Sequence, residues 1–377
     1  MMLIETKSAA FVFSDLSSLI KTAAVPVMSY AMLRDDRILA TNGVTDVDIP
    51  AGFLEKDHHK GQHLLPIVSI SRVCHAVESA ESQIRFTLQK NEIAIALASG
   101  EIRLKTISPE AFPLSSDGPQ EAVAANVGSV DKFIDSLTYV EHVIKSSHKD
   151  PRHYVNGLFV ETFVEGIRLT AMDGHRLAHC ESGNVIGKAV WNGIVPRNSI
   201  DALKTRLKRV KDKGALLNIS GTDILAKFSY CDETISSRLI SGEYPAWRKL
   251  LNVQNDFVLT TSSQEMLQAL DLCMIAQPET RNDWVVIMTL SKNRIHLSGV
   301  GEFGNVEYTV PAKYAGAKII ISCNGQHLMD AISSNLENSE DGLIDILHAG
   351  SKDRGVRLWA SGHPENFCLF MPRGENN

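Results

Sequence analysis

The sequence predicts an α+β protein made of three tandem copies of one domain, each copy two helices packed on antiparallel sheets. Three observations carry this. Segments 28–43, 158–174 and 286–299 share one order: strand, tight polar turn, strand, then a Gly-containing loop. An amphipathic stretch precedes each segment, and a second follows later in each copy. Alternating strands then end on a proline at Pro113, Pro245 and Pro372, at intervals of 132 and 127 residues. Solenoid units repeat every 20–50 residues or so, so this longer period describes whole domains. The copies are expected at 1–119, 120–253 and 254–377.

Each element has a local reason. The turns fall at Asp35-Asp36, Glu165-Gly166 and Lys292-Asn293, polar as hairpin tips are. The leading helices are expected at 14–22, 129–145 and 262–275. In the second of these, Val130, Phe133, Ile134, Leu137, Val140 and Ile144 share one face, with Ser129 as cap. In the third, Met266, Leu267, Leu270 and Met274 do, with Ser262 or Ser263 as cap. The first places Leu16, Leu19 and Ile20 together after Ser14. The later helices are expected at 69–79, 199–211 and 325–334.

Composition narrows the class. The 377 residues are 44% apolar and 22% charged, which excludes disordered and fibrous chains. No apolar run approaches the roughly 18 residues of a membrane helix, and the first residues lack a leader pattern. Six scattered cysteines without a C-x-x-C pair fit reduced thiols in a cytosol. The net charge of −6 counts against a nucleic-acid binder. Residues 197–213 run the other way, with Arg197, Lys204, Arg206, Lys208, Arg209, Lys211 and Lys213 against Asp201 and Asp212. On a helix, Ile200, Leu203, Leu207 and Val210 make a buried stripe, which leaves Lys204, Lys208 and Lys211 on an exposed one. Such a stripe suits phosphate contact without base readout.

Motifs for chemistry fail on context. Gly299-Val-Gly301-Glu-Phe-Gly304 matches a dinucleotide fingerprint, but a strand follows it where a helix is required. A glycine-rich hairpin is the better reading. His58, His59 and His63 lack a second set of ligands and read as a solvated loop. Asp173-Gly174-His175-Arg176 gathers acid, His and Arg without a nucleophile, so it reads as a turn. No catalytic residue, metal or cofactor is expected.

Asp150-Pro-Arg152-His-Tyr154-Val-Asn156-Gly157, followed by Asp173-Gly174-His175-Arg176-Leu177-Ala178, resembles the middle-domain signature of the bacterial DNA polymerase III beta subunit, the sliding clamp. Ser237-Arg-Leu-Ile-Ser-Gly242-Glu-Tyr-Pro245, Ser108–Pro113 and Met371-Pro372 resemble further family stretches. The resemblance implies a non-enzymatic processivity factor whose three clamp domains form half of a closed ring. A head-to-tail homodimer would encircle duplex DNA, act at the nucleoid in the cytoplasm and touch no membrane. It implies a hydrophobic cleft for polymerase and clamp-loader peptides at Val155, Met172, Gly174, His175, Arg176, Leu177, Pro245, Lys249, Leu250, Leu369, Met371 and Pro372. DNA contacts would come from His148, Lys149, Arg152, Tyr154, Arg197, Lys204, Lys208 and Lys211. The dimer contact would set Ile102 and Leu104 against Met274 and Ile275. Met172 stands where the family usually has Thr, Arg373 occupies a usually apolar position, and Thr22–Pro26 lacks the usual basic residue. Those departures suggest, as an alternative, an accessory clamp or clamp-fold adaptor that binds peptides only.

Overall fold

The computed structural model describes residues 2–22, 25–51, 61–89, 91–113, 123–144, 151–183, 190–212, 214–251, 257–277, 284–336, 339–348 and 354–373. Six α-helices form among them where one apolar face repeats at helical spacing. They are α1 (Thr6–Leu19), α2 (Ile67–Val77), α3 (Val130–Glu141), α4 (Arg197–Leu207), α5 (Ser263–Met274) and α6 (Gly325–Leu336). Ser262 caps α5, its hydroxyl accepting the Glu265 N–H at 3.3 Å.

Two helix ends differ from expectation. α1 begins at Thr6 and not near Ser14, because Thr6, Ala9, Ala10, Phe13, Leu16 and Leu19 form one buried face. Two of those positions are alanines, which keep the period but add little apolar signal. The Glu5 carboxylate caps the helix by accepting the Ser8 N–H at 2.9 Å. α4 ends at Leu207: the Lys208 N–H still reaches the Lys204 carbonyl, but the Arg209 and Val210 N–H groups turn to Arg206 and Leu207, so residues 208–211 leave the helix.

The chain divides into two compact units. The first comprises Met1–Asp131 and Ile186–Leu239. It holds a sheet in the order Met2–Glu5, Gln83–Leu88, Glu92–Leu97, Gly100–Lys105. Its second sheet runs Gln62–Pro66, Tyr30–Arg34, Arg37–Thr41, Thr45–Pro50, Glu233–Arg238, Leu225–Tyr230, Leu216–Gly221, Val123–Ser129. The second unit comprises Lys132–Val185 and Ile240–Asn377. Its strands run Gly157–Phe163, Gly166–Met172, Arg176–Gly183, Phe367–Phe370, Val356–Ala360, Leu343–His348, Phe257–Ser262, Gly304–Lys313, Arg294–Gly301, Val285–Ser291, Ile319–Asn324. The strand pairings among the described residues are antiparallel. The units cut across the three repeats because middle-repeat strands serve both. Glu233–Arg238 pairs with Thr45–Pro50 in one unit, and Arg176–Gly183 pairs with Phe367–Phe370 in the other. The expected boundaries at 119/120 and 253/254 lie outside the described residues.

Two turn details follow from sterics. The middle hairpin turns at Val164-Glu165, one residue earlier than expected, and Phe163 and Gly166 close it. Gly166 opens the second strand, where any β-carbon would collide with the Ser182 carbonyl. Gly301 pairs with Gly304 across a two-residue turn, so the G-x-G-x-x-G segment is a hairpin. A β-carbon on Gly299 would sit 2.9 Å from Cys273 Cβ, and one on Gly301 would collide with the Ala276 carbonyl. These glycines admit the end of α5, not a pyrophosphate.

Candidate functional site

The cleft residues are assembled by strand pairing within the second unit. Met172 lies opposite Leu177, and Leu177 opposite Leu369, which puts three apolar side chains in one row across the sheet. Alternation sets His179 and Phe367 on the same face one step further along. The segment Tyr244–Leu251 lies over this face. Tyr244 donates to the Thr170 carbonyl at 3.2 Å and stacks on Phe159 at 4.5 Å. Trp247 packs on the His179 ring at 4.4 Å and joins Leu177, Trp359, Phe367 and Leu369 in one apolar cluster, with Met172 at its margin. The Met371 N–H donates to the His175 carbonyl at 2.8 Å, tying the C-terminal stretch to the Gly174 turn. Leu250 and Met371 stay 43% and 38% exposed, leaving apolar rims above an apolar floor. Lys249 is exposed and Pro245 and Pro372 half-buried. Val155 is fully buried.

The Asp173–Arg176 turn is a structural knot. Asp173 Oδ1 accepts the His175 and Arg176 N–H groups at 2.9 and 3.0 Å. The Arg176 guanidinium bonds Asp173 at 3.1 Å, Asp330 of α6 at 2.6 Å and the His142 carbonyl at 2.8 Å. Each of its three nitrogens makes one of these bonds, three of its five N–H groups, so the guanidinium ties the turn to α6. Gly174 has φ +87°, and a β-carbon on it would collide with Arg152 Nη1. The guanidinium of Arg152 therefore lies on the Gly174 turn.

Burial, reinforced by the Arg176 cation, holds His142 and His327 down at about 4. A histidine whose folded pKa is depressed stays neutral in the native state while the unfolded chain takes up a proton. Stability is then full above about pH 6.5 and lost as pH falls toward 4. Between pH 7.5 and 5 the urea midpoint is expected to fall, His142 contributing about 2 kcal/mol of the loss. His142→Gln, which keeps an amide beside Ser334, should flatten that slope in urea titrations.

The basic stretch lies in the first unit. Lys208 and Lys211 are exposed, but Lys204 is only 9% exposed, which corrects the expected three-lysine stripe. The helical period was carried past the true end of α4, and Lys204 falls on the side of α4 that packs inward. Arg197 pairs with Asp201 at 2.8 Å. Tyr154, in the second unit, packs edge-on against Tyr244 at 6.0 Å. His148 and Lys149, like His58 and His59, lie outside the described residues. No three metal-ligating side chains come together among the described residues.

Several residues gave no signal in the sequence. Arg206, only 7% exposed, joins α4 to Asp15 of α1 and to Glu233 at 2.9 Å, while Arg209 holds Asp15 at 3.0 Å. These partners are up to 191 residues apart, beyond any local pattern. At the expected dimer contact, Met274 and Ile275 are 39% and 65% exposed. Ile102 and Leu104 are half-buried on the edge strand Gly100–Lys105. Val306 and Tyr308, on Gly304–Lys313, are half-buried too, and the sequence reading passed over them.

The fold is that of the sliding clamps. The family model described as DNA polymerase III beta subunit, central domain, matches residues 132–246. The beta sliding clamp of Caulobacter vibrioides is 24% identical over 318 residues, covering 81% of this chain and 82% of that one. The Escherichia coli K12 beta sliding clamp is 24% identical over 285 residues, covering 74% of each. A DNA polymerase sliding clamp from Pseudomonas aeruginosa superimposes with TM-score 0.87 at 17% identity, over 99% of this chain and 100% of that one. Residues 132–246 thus match the central domain of the bacterial DNA polymerase III beta subunit, and the chain as a whole is similar to the beta sliding clamps. No helix among the described residues is long and apolar enough to cross a membrane.

Proposed function

We propose that two copies of this chain close head to tail around duplex DNA and tether a polymerase, as a non-catalytic clamp of the bacterial cytoplasm. One observation carries the ring: each repeat has a strand made to pair with the next, and two such strands are left over. In the first unit, Thr45, Asp46, Val47 and Asp48 pair with Ser237, Ser236, Ile235 and Thr234. Two-residue turns allow these positions to be counted onto the other repeats. Pro311 stands where Pro50 does, each opposite the first residue of its middle strand, and Gly100 stands where Glu233 does.

The same register then sets Val306, Glu307, Tyr308 and Thr309 of one copy against Leu104, Arg103, Ile102 and Glu101 of the other. In the first unit the inward pairs, Val47–Ile235 and Thr45–Ser237, are buried. Their counterparts, Tyr308–Ile102 and Val306–Leu104, are apolar pairs whose members a single chain leaves half-buried. The outward counterpart is Glu307 facing Arg103, opposite in sign. Met274 and Ile275 stand beside this ladder in the reading. Such a contact is heterologous yet closes after two copies.

Lys208 and Lys211 fit contact with the DNA backbone, and the Met172–Leu177–Leu369 row fits the anchors of a polymerase or loader peptide. The test is retention on nicked circular DNA after loading. Clamp should stay on circles and leave on linearisation, and equal retention on both would overturn topological binding. Lys208→Glu with Lys211→Glu should abolish loading at about 150 mM salt while leaving peptide affinity within about twofold. Unchanged loading would move the DNA contact elsewhere.

A further inference from the structure

We infer that the indole N–H of Trp247 is a recognition group, a donor held for a carbonyl oxygen of the peptide entering the cleft. The inference rests on the cleft reading above. Trp247 is 4% exposed, and its Nε1 has no acceptor among the described residues. Buried indole N–H groups ordinarily find one. Trp191 shows the usual outcome, donating to the Thr222 carbonyl at 3.0 Å. Trp284 is also unpaired, but it is fully buried in the core of the third repeat, under Gly325.

Trp247 differs from Trp284 in its neighbours. It clusters with Leu177 and Leu369, which with Met172 make the apolar floor, and Leu250 on its own turn is an exposed rim. The Arg248 guanidinium lies 4.4 Å from the centre of its ring, and the His179 ring packs on it at 4.4 Å. These contacts orient the indole before any ligand arrives, and because its Nε1 is covered in the free chain, an entering peptide reaches it by displacing a neighbouring side chain. A fixed, desolvated donor on an apolar floor gains most from an acceptor that enters with apolar side chains. An extended peptide with Leu or Phe anchors brings a main-chain carbonyl at every residue. The group therefore adds direction to a floor that otherwise selects only for apolar bulk.

The test uses the full-length protein with indole-¹⁵N tryptophan. The probe is a fluorescein-labelled peptide copied from the C-terminal tail of the replicative polymerase of the same genome. Trp247→Phe keeps the ring and removes the donor, and it identifies the Trp247 signal by its loss. Peptide should move that signal downfield and leave the Trp284 signal in place. Trp247→Phe should weaken binding about fivefold to tenfold by anisotropy, the worth of one net hydrogen bond. Binding with an unmoved Trp247 signal and equal affinity for the variant would overturn the proposal and spare the cleft. Failure of the unaltered protein to bind the peptide would overturn both.

Discussion

Arg103→Glu is expected to weaken the dimer about 100-fold, and Glu307→Arg in the same chain to restore most of the loss. The reasoning is positional. Arg103 already sits between Glu101 at 2.6 Å and Glu92 at 3.1 Å on its own sheet, so its sign balances a local pair of acids. In the proposed ladder it also faces Glu307 of the other copy. Reversal leaves four carboxylates around one register position, with no cation among them. Like charges directly opposite each other on paired strands repel, and at an interface the repulsion appears as faster dissociation. The doubly reversed chain puts the attraction back with its sign exchanged. Light scattering across a dilution series reads the dissociation constant. A dimer indifferent to both substitutions would sink the register, and one weakened by the first but not rescued by the second would show that Arg103 acts within its own chain.

Arg206→Leu should cost about 3 kcal/mol of stability in denaturant titrations, among the largest single-residue effects in the molecule. The guanidinium holds Asp15 and Glu233 at once while only 7% exposed. Burial alone would weaken the cation, but the two carboxylates outweigh it and its pKa rises. Removing it leaves Asp15, itself buried, with Arg209 as its remaining cation. Asp15→Leu combined with Arg206→Leu removes both buried charges, and that pair should recover most of the loss. A double variant as unstable as the single one would show that packing, not charge, carries the effect.

The fold was largely legible because its signals are local. Polar hairpin tips, apolar stripes and recurring prolines each occupy a few neighbouring residues, and three copies of a weak pattern reinforce one another. What escaped was of two kinds. Small residues hide burial: Ala9 and Ala10 pack as tightly as Phe13 but contribute little apolar signal, so half of α1 went unseen. Distant pairing hides commitment: Lys204 and Arg206 look like a solvated basic face until α4 is packed, and nothing local shows that Arg176 bonds Asp330. The Met172–Leu177–Leu369 row came from the family signature, since nothing in the residues alone aligns positions 172, 177 and 369.

The buried Arg206 also bears on how a closed ring could admit a circular chromosome. The link joins the first repeat to the second, and Arg176 with Asp330 joins the second to the third. α2 and α4 both begin after a proline, Pro66 and Pro196, so the residue of α2 that corresponds to Arg206 is Ala76. Ala76 is exposed and has no charge to lend. At the seam between copies in the proposed ring, Ala76 therefore offers no counterpart of the Arg206 link. In the proposed ring, that makes the seam between copies the place where opening is expected to start.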